Sequence, residues 1–67
     1  MKKIAVLAGN YKEFRFFTKD NDKYIYIDSP EKTRGREFSK VLTYGTWYKR
    51  KNVYDLLILT KSRIREN

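Results

Sequence analysis

The chain predicts one α/β domain: a small three-stranded sheet with parallel strands and two helices, in the order β-α-β-β-α. Three observations carry this. Residues 4–8 are an unbroken apolar run closed by Gly9-Asn10, the pattern of a short strand buried on both faces. Asn10 followed by Glu13 has the spacing of a helix cap with an acidic partner, so a helix begins where the strand ends. Gly45-Thr-Trp closes a later strand much as Gly9-Asn-Tyr closes the first. A buried strand, a glycine turn and a capped helix open a βαβ unit, and in such sheets ligands bind at the carboxyl ends of the strands.

Residues 10–20 read as the first helix. Tyr11, Phe14 and Phe17, with Phe16 beside them, form an apolar stripe, while Lys12, Arg15 and Lys19 face outward. Asp20-Asn-Asp22 stops it. The stripe is expected to pack on the sheet, except that Tyr11, in the first turn, presents its hydroxyl near the strand end. Residues 23–28 form a second strand, at an edge, with Ile25 and Ile27 pointing one way and Tyr24 and Tyr26 the other. Ser29 as a cap and Pro30 at the first helical position predict a single turn over 30–34, ended by Gly35. Residues 38–44 carry the third strand.

Asn52 with Asp55 three residues on predicts a capped helix over 53–66. Lys61, Arg63 and Arg65 then fall in its last turns, where the dipole favours cations. Residues 56–59 also fit a buried strand. The cap, and the helical spacing of Val53, Leu56, Leu57, Thr60 and Ile64, favour helix. Four consecutive apolar residues wrap most of a turn, leaving Ile58 or Leu59 for a second surface such as a homodimer contact.

A chain of 67 residues makes a single domain, 1–67, that buries only about 60% of its unfolded surface. It has no Cys and no His, which excludes disulfides and removes the usual zinc ligands. The eight acids are scattered, so neither a metal nor a cofactor is expected. The composition suits a reducing cytoplasm. The polar residues 9–13 interrupt any secretory leader, and no run approaches the roughly 20 apolar residues that span a bilayer. The net charge of +8 implies attraction to polyanions.

Parallel strands would gather Gly9, Asn10, Tyr11, Asp28, Ser29, Gly45, Thr46 and Trp47 on one rim. Helix starts after Asn10 and Ser29 would aim N–H groups at the same side, and such ends attract anions. Arg34, Arg36, Lys49 and Arg50 are expected on the flanking loops, so phosphate, or a chain that bears it, is the natural guest. A phosphate-binding P-loop needs more glycines and a Ser or Thr after its Lys; a dinucleotide fingerprint needs three spaced glycines where only Gly9 stands. Ser29, Ser39 and Ser62 have no His to activate them. Asp28 is a lone carboxylate whose plainer role is a cap or a partner for Arg34 or Arg36. Trp47-Tyr48 followed by Lys49-Arg-Lys51 is the most suggestive stretch, because rings stack on bases while cations meet phosphates. The alternative is that Trp47 fills the core and the basic run is a solvated loop.

Taken together, Val-Leu-Ala-Gly-Asn-Tyr, Tyr-Ile-Asp-Ser-Pro-Glu-Lys-Thr-Arg-Gly and Tyr-Gly-Thr-Trp-Tyr-Lys-Arg resemble short proteins encoded by bacteriophages, which look like truncated Rossmann-like or P-loop-like halves. The positions that carry the likeness are Gly9, Asn10, Asp28, Pro30, Arg34, Gly35, Gly45, Thr46, Trp47 and Arg50. The resemblance implies a phage origin and a role in the host cytoplasm during infection, and brings no activity with it. The leading expectation is a non-enzymatic accessory protein that binds nucleic acid or a phosphorylated ligand. The alternative is an interaction module that inhibits or redirects a host protein. A nucleotide enzyme using Asp28 ranks third.

Overall fold

The computed structural model describes residues 2–65. Strands β1 (Lys3–Ala8), β2 (Tyr24–Tyr26) and β3 (Phe38–Tyr44) form a parallel sheet in the order β2-β1-β3. Helix α1 spans Tyr11–Thr18 and α2 spans Val53–Lys61. Short 3-10 turns at Pro30–Thr33 and Trp47–Lys49 complete the chain order. This is the parallel α/β arrangement that the sequence predicts.

β1 takes the centre because it is apolar on both sides. Ala5, Val6, Leu7 and Ala8 have no exposed surface. Successive side chains of a strand point to opposite faces. Ala5 and Leu7 therefore join Ile27, Phe38, Val53 and Leu56 in one core, and Val6 and Ala8 join Phe14 in the other. Helix α1 covers the second face and α2 the first. β2 and β3 flank β1 on opposite sides, so right-handed crossovers to them lie on opposite faces. Accordingly α1 carries one crossover, and the Pro30–Thr33 turn on the other packs against α2. Ile25 and Ile27 face the α2 core and Tyr24 and Tyr26 the α1 core, as their alternation predicts.

The boundaries differ from expectation in four places, each for a local reason. α1 stops at Thr18 because Lys19 and Asp20 adopt left-handed φ values of 51° and 61°. The Lys19 N–H then donates to Arg15 O, and Arg15 Nε pairs with Asp20 at 3.0 Å. β2 is shorter than 23–28, although the Ile4 and Ile27 amides still donate to Lys23 O and Val6 O. α2 ends at Lys61, not at 66. Beyond it Ile64 forms a parallel bridge with Phe38, the Phe38 N–H donating to Arg63 O and the Arg65 N–H to Phe38 O. Pairing with the open β3 edge thus ends the helix. Lys61 alone sits in the last turn, Arg63 and Arg65 lie past it, and residue 66 is outside the described residues. Finally, Asn52 does not cap α2 through its side chain; it takes a left-handed φ of 60°. Residues 56–59 are helical, and Ile58 is 67% exposed.

Candidate functional site

β1, β2 and β3 run the same way, so their carboxyl ends share a rim. The chain runs from β1 to β2 on one side and then crosses back over β1 to β3 on the other. The topological switch point, where open α/β sheets bind ligands, therefore lies between the ends of β1 and β3. Gly9 lines one side of it, Gly45 and Thr46 the other.

The Glu13 carboxylate occupies that place. Its Oε1 accepts the Gly9 N–H at 2.9 Å and the Thr46 N–H at 3.0 Å. The Thr46 hydroxyl lies 3.0 Å from Oε2 and 3.2 Å from Oε1. The Thr46 N–H foremost, with the Thr46 hydroxyl, the Gly9 N–H and the Lys49 charge, holds the Glu13 carboxyl below its ordinary value despite some desolvation. Glu13 therefore does not close the cap box on Asn10 that the sequence suggests. Asn10 does its part, accepting the Glu13 N–H at 2.9 Å through Oδ1. Both glycines are required by this carboxylate. A Cβ on Gly9 would collide with Thr46 Oγ1, and one on Gly45, where φ is +63°, would lie 2.5 Å from Glu13 Oε1. The chain's own carboxylate thus uses the donors that a phosphate would need there.

Arg50 closes the other half of the rim. Its Nη2 donates to Asp28 O at 3.0 Å. Its Nη1 lies 3.2 to 3.4 Å from the Tyr26 hydroxyl, Ala8 O and Ile27 O. The guanidinium carbon stands 5.6 Å from the Tyr26 ring centre. Burial pushes the Tyr26 hydroxyl pKa up, and the Arg50 charge opposes this. Arg50 binds the carbonyl ends of β1 and β2, much as Glu13 binds the amides beside β1 and β3.

The remaining site residues divide. Tyr11 is exposed on the rim, with its ring 5.7 Å from Phe14 and 5.6 Å from Tyr26. Asp28 is exposed and its partner is Lys32 at 3.9 Å, not Arg34 or Arg36. Ser29 makes no side-chain cap bond. Lys49 ends the Trp47–Lys49 turn, exposed. Arg34 is exposed on the connection that leads away from the rim. Arg36 lies at the opposite pole, in a hollow with Lys3 and Phe38 at the amino ends of β1 and β3. Arg34, Arg36, Lys49 and Arg50 therefore do not all gather at the rim, because the second crossover must return to the amino edge before β3 can run parallel.

Beside the rim lies an aromatic face. Trp47 is half-buried against the α2 core. Its ring stands edge-on to Tyr48 at 6.2 Å and to Tyr54 at 5.8 Å. Tyr48 and Tyr54 are 53% and 61% exposed. Lys49 and Lys51, between the two tyrosines in the chain, are exposed. Trp47 is therefore both core and surface. Tyr54 was not singled out from sequence, although its place at the start of α2 and its aromatic neighbours six and seven residues back were visible.

Among the described residues no three metal-ligating side chains gather, and no helix is long and apolar enough to cross a membrane. No protein family, curated relative or solved structure matches the chain.

Proposed function

We propose that this chain is a non-enzymatic accessory protein of the bacteriophage type, working in the host cytoplasm, that holds single-stranded nucleic acid on the face of Trp47, Tyr48 and Tyr54. The observation that carries the reading is the ring cluster, with two exposed tyrosines edge-on to Trp47, and exposed Lys49 and Lys51 close to them in the chain. Each base stacked on such a ring gains about 1–3 kcal/mol, and the lysines meet the phosphates. The net charge of +8 draws in a polyanion. The rim is not the working surface on this reading, since Glu13 and Arg50 already engage its donors and acceptors. Binding therefore moves from the rim to the adjoining rings.

The test is fluorescence anisotropy with a labelled oligothymidine across a salt series. Affinity should fall log-linearly with salt, with a slope of about −0.7 per phosphate neutralised. Tyr54→Ala should weaken binding by at least about fivefold, the low end of one lost stacking contact. No binding at low salt overturns the proposal.

One observation favours a second reading. Ile58 is 67% exposed one turn beyond Tyr54, and an aliphatic side chain adds nothing to base stacking. Tyr48, Tyr54 and Ile58 together resemble the apolar centre of a protein interface, where aromatic anchors dominate. On this reading the partner is a host protein with acidic groups that meet the lysines. Ile58→Asp would then abolish a nuclease-resistant stoichiometric complex while leaving oligonucleotide affinity in place.

A further inference from the structure

We infer that the hollow at the amino edge of the sheet is a binding site for a phosphomonoester or pyrophosphate group. It lies at the pole away from the aromatic face and does not depend on the reading of that face. The hollow measures about 770 Å³ and is walled by Lys3 at the start of β1, Arg36 ahead of β3, and Arg63 beyond α2. Three segments distant in sequence thus bring three cations to one cup.

None of those three side chains has a hydrogen bond or ion pair among the described residues. The acid that lines the hollow, Glu37, is already engaged by Arg65 Nε at 3.2 Å. Among the described residues the site therefore keeps an excess of positive charge. Like charges lining one hollow repel, and an anion with two or more charges lowers that repulsion. Arginine offers planar paired donors that match phosphate oxygens, and Lys3 adds a point charge.

The walls also suit such a guest. The Phe38 backbone N–H and C=O are both engaged, by Arg63 O and the Arg65 N–H. Phe38 itself is 1% exposed. Gly35, with φ +66°, has nothing within 4 Å of where a Cβ would stand, so the approach past it is open. Lys2 also lines the hollow and reaches Arg65 O at 3.4 Å. A cup fed from three segments suits a compact terminal group better than the middle of an extended chain, which would need a track.

Titration of the isotopically labelled full chain with pyrophosphate, at fixed ionic strength, tests the inference. The amide signals of Gly35, Arg36, Phe38 and Arg63 should shift and saturate. Arg36→Glu, at an exposed side chain with no bond to lose, should keep the native spectrum and raise the Kd at least tenfold. Tyr54→Ala should leave it unchanged. Two oligothymidines, one with a 5′-phosphate and one with a 5′-hydroxyl, separate the sources of the group. If the 5′-phosphorylated chain shifts the same amides and binds tighter than pyrophosphate, the guest is a nucleic-acid end. If pyrophosphate alone does so, the guest is a small phosphorylated molecule; either outcome supports the site. Shifts that fail to saturate, that spread over all basic surfaces, that sulfate reproduces equally, or that persist unweakened in Arg36→Glu overturn it. A 5′-hydroxyl chain that perturbs only Tyr48 and Tyr54 reports on the aromatic face, whatever the hollow does.

Discussion

Glu13 is the residue on which the rim depends. Its carboxyl is held below the ordinary glutamate value, principally by the Thr46 N–H. A carboxyl so shifted contributes stability that is complete above the unfolded value, about 4.3, and is lost as pH falls through the lower folded value. Glu13→Gln should therefore lower the Tm near neutral pH, and the gap from the wild type should close in acid. Thermal melts by circular dichroism over the acid range check this. Asp20 is shifted the same way by Arg15, so the difference between the two proteins, not the wild-type curve alone, isolates Glu13. The sequence showed half of this residue. The Asn10 to Glu13 spacing announced a cap, and Asn10 does cap. That Glu13 turns instead to Gly9 and Thr46 was not legible, because Thr46 comes near only once β3 is known to lie beside β1.

At the scale of elements, apolar patterning announced every strand and the first helix, because each must bury a face, while the run 56–59 fitted a strand as well and helical spacing decided it. The ends were set by contacts no local pattern records. α2 stops at Lys61 because the chain beyond it pairs with Phe38. Asn52 looked like a cap by its side chain, and is suited to its place by its backbone instead, since Asn tolerates the left-handed region. Arg50 joins two elements that pattern alone leaves separate. Its fork spans acceptors on β1, on β2 and past β2. Arg50→Lys keeps the charge and loses the fork, and should cost about 1–3 kcal/mol. The loss should show as faster hydrogen exchange at the Ile27 amide, which donates to Val6 O at 3.0 Å beside the Arg50 contacts.

For the whole molecule, size governs the outcome. Small domains hold about 0.05–0.15 kcal/mol of stability per residue, which leaves this chain about 3–10 kcal/mol. Phe38 is the largest fully buried side chain, and its backbone also ties in the segment after α2. Phe38→Ala should cost about 3–5 kcal/mol, and urea titration should find the variant largely unfolded or close to it. The distribution of charge was the least legible feature at this scale. The sum of +8 is plain in the sequence. Its division between the two poles of the sheet is not, because the 34–37 stretch had first to be carried back across the domain to start β3. That return removed Arg36 from the rim and left the rings of Trp47, Tyr48 and Tyr54 as the neighbouring surface.

The contact between Glu13 and Thr46 spans 33 positions of chain. During synthesis the first strand and helix emerge well before Thr46, so the nascent protein waits with that carboxylate unlatched. The segment after α2 that bonds Phe38 comes later still. The last of these contacts therefore form only late in synthesis, and a product cut short before residue 46 would carry the β1–β3 pairing without the clasp that Thr46 adds to it.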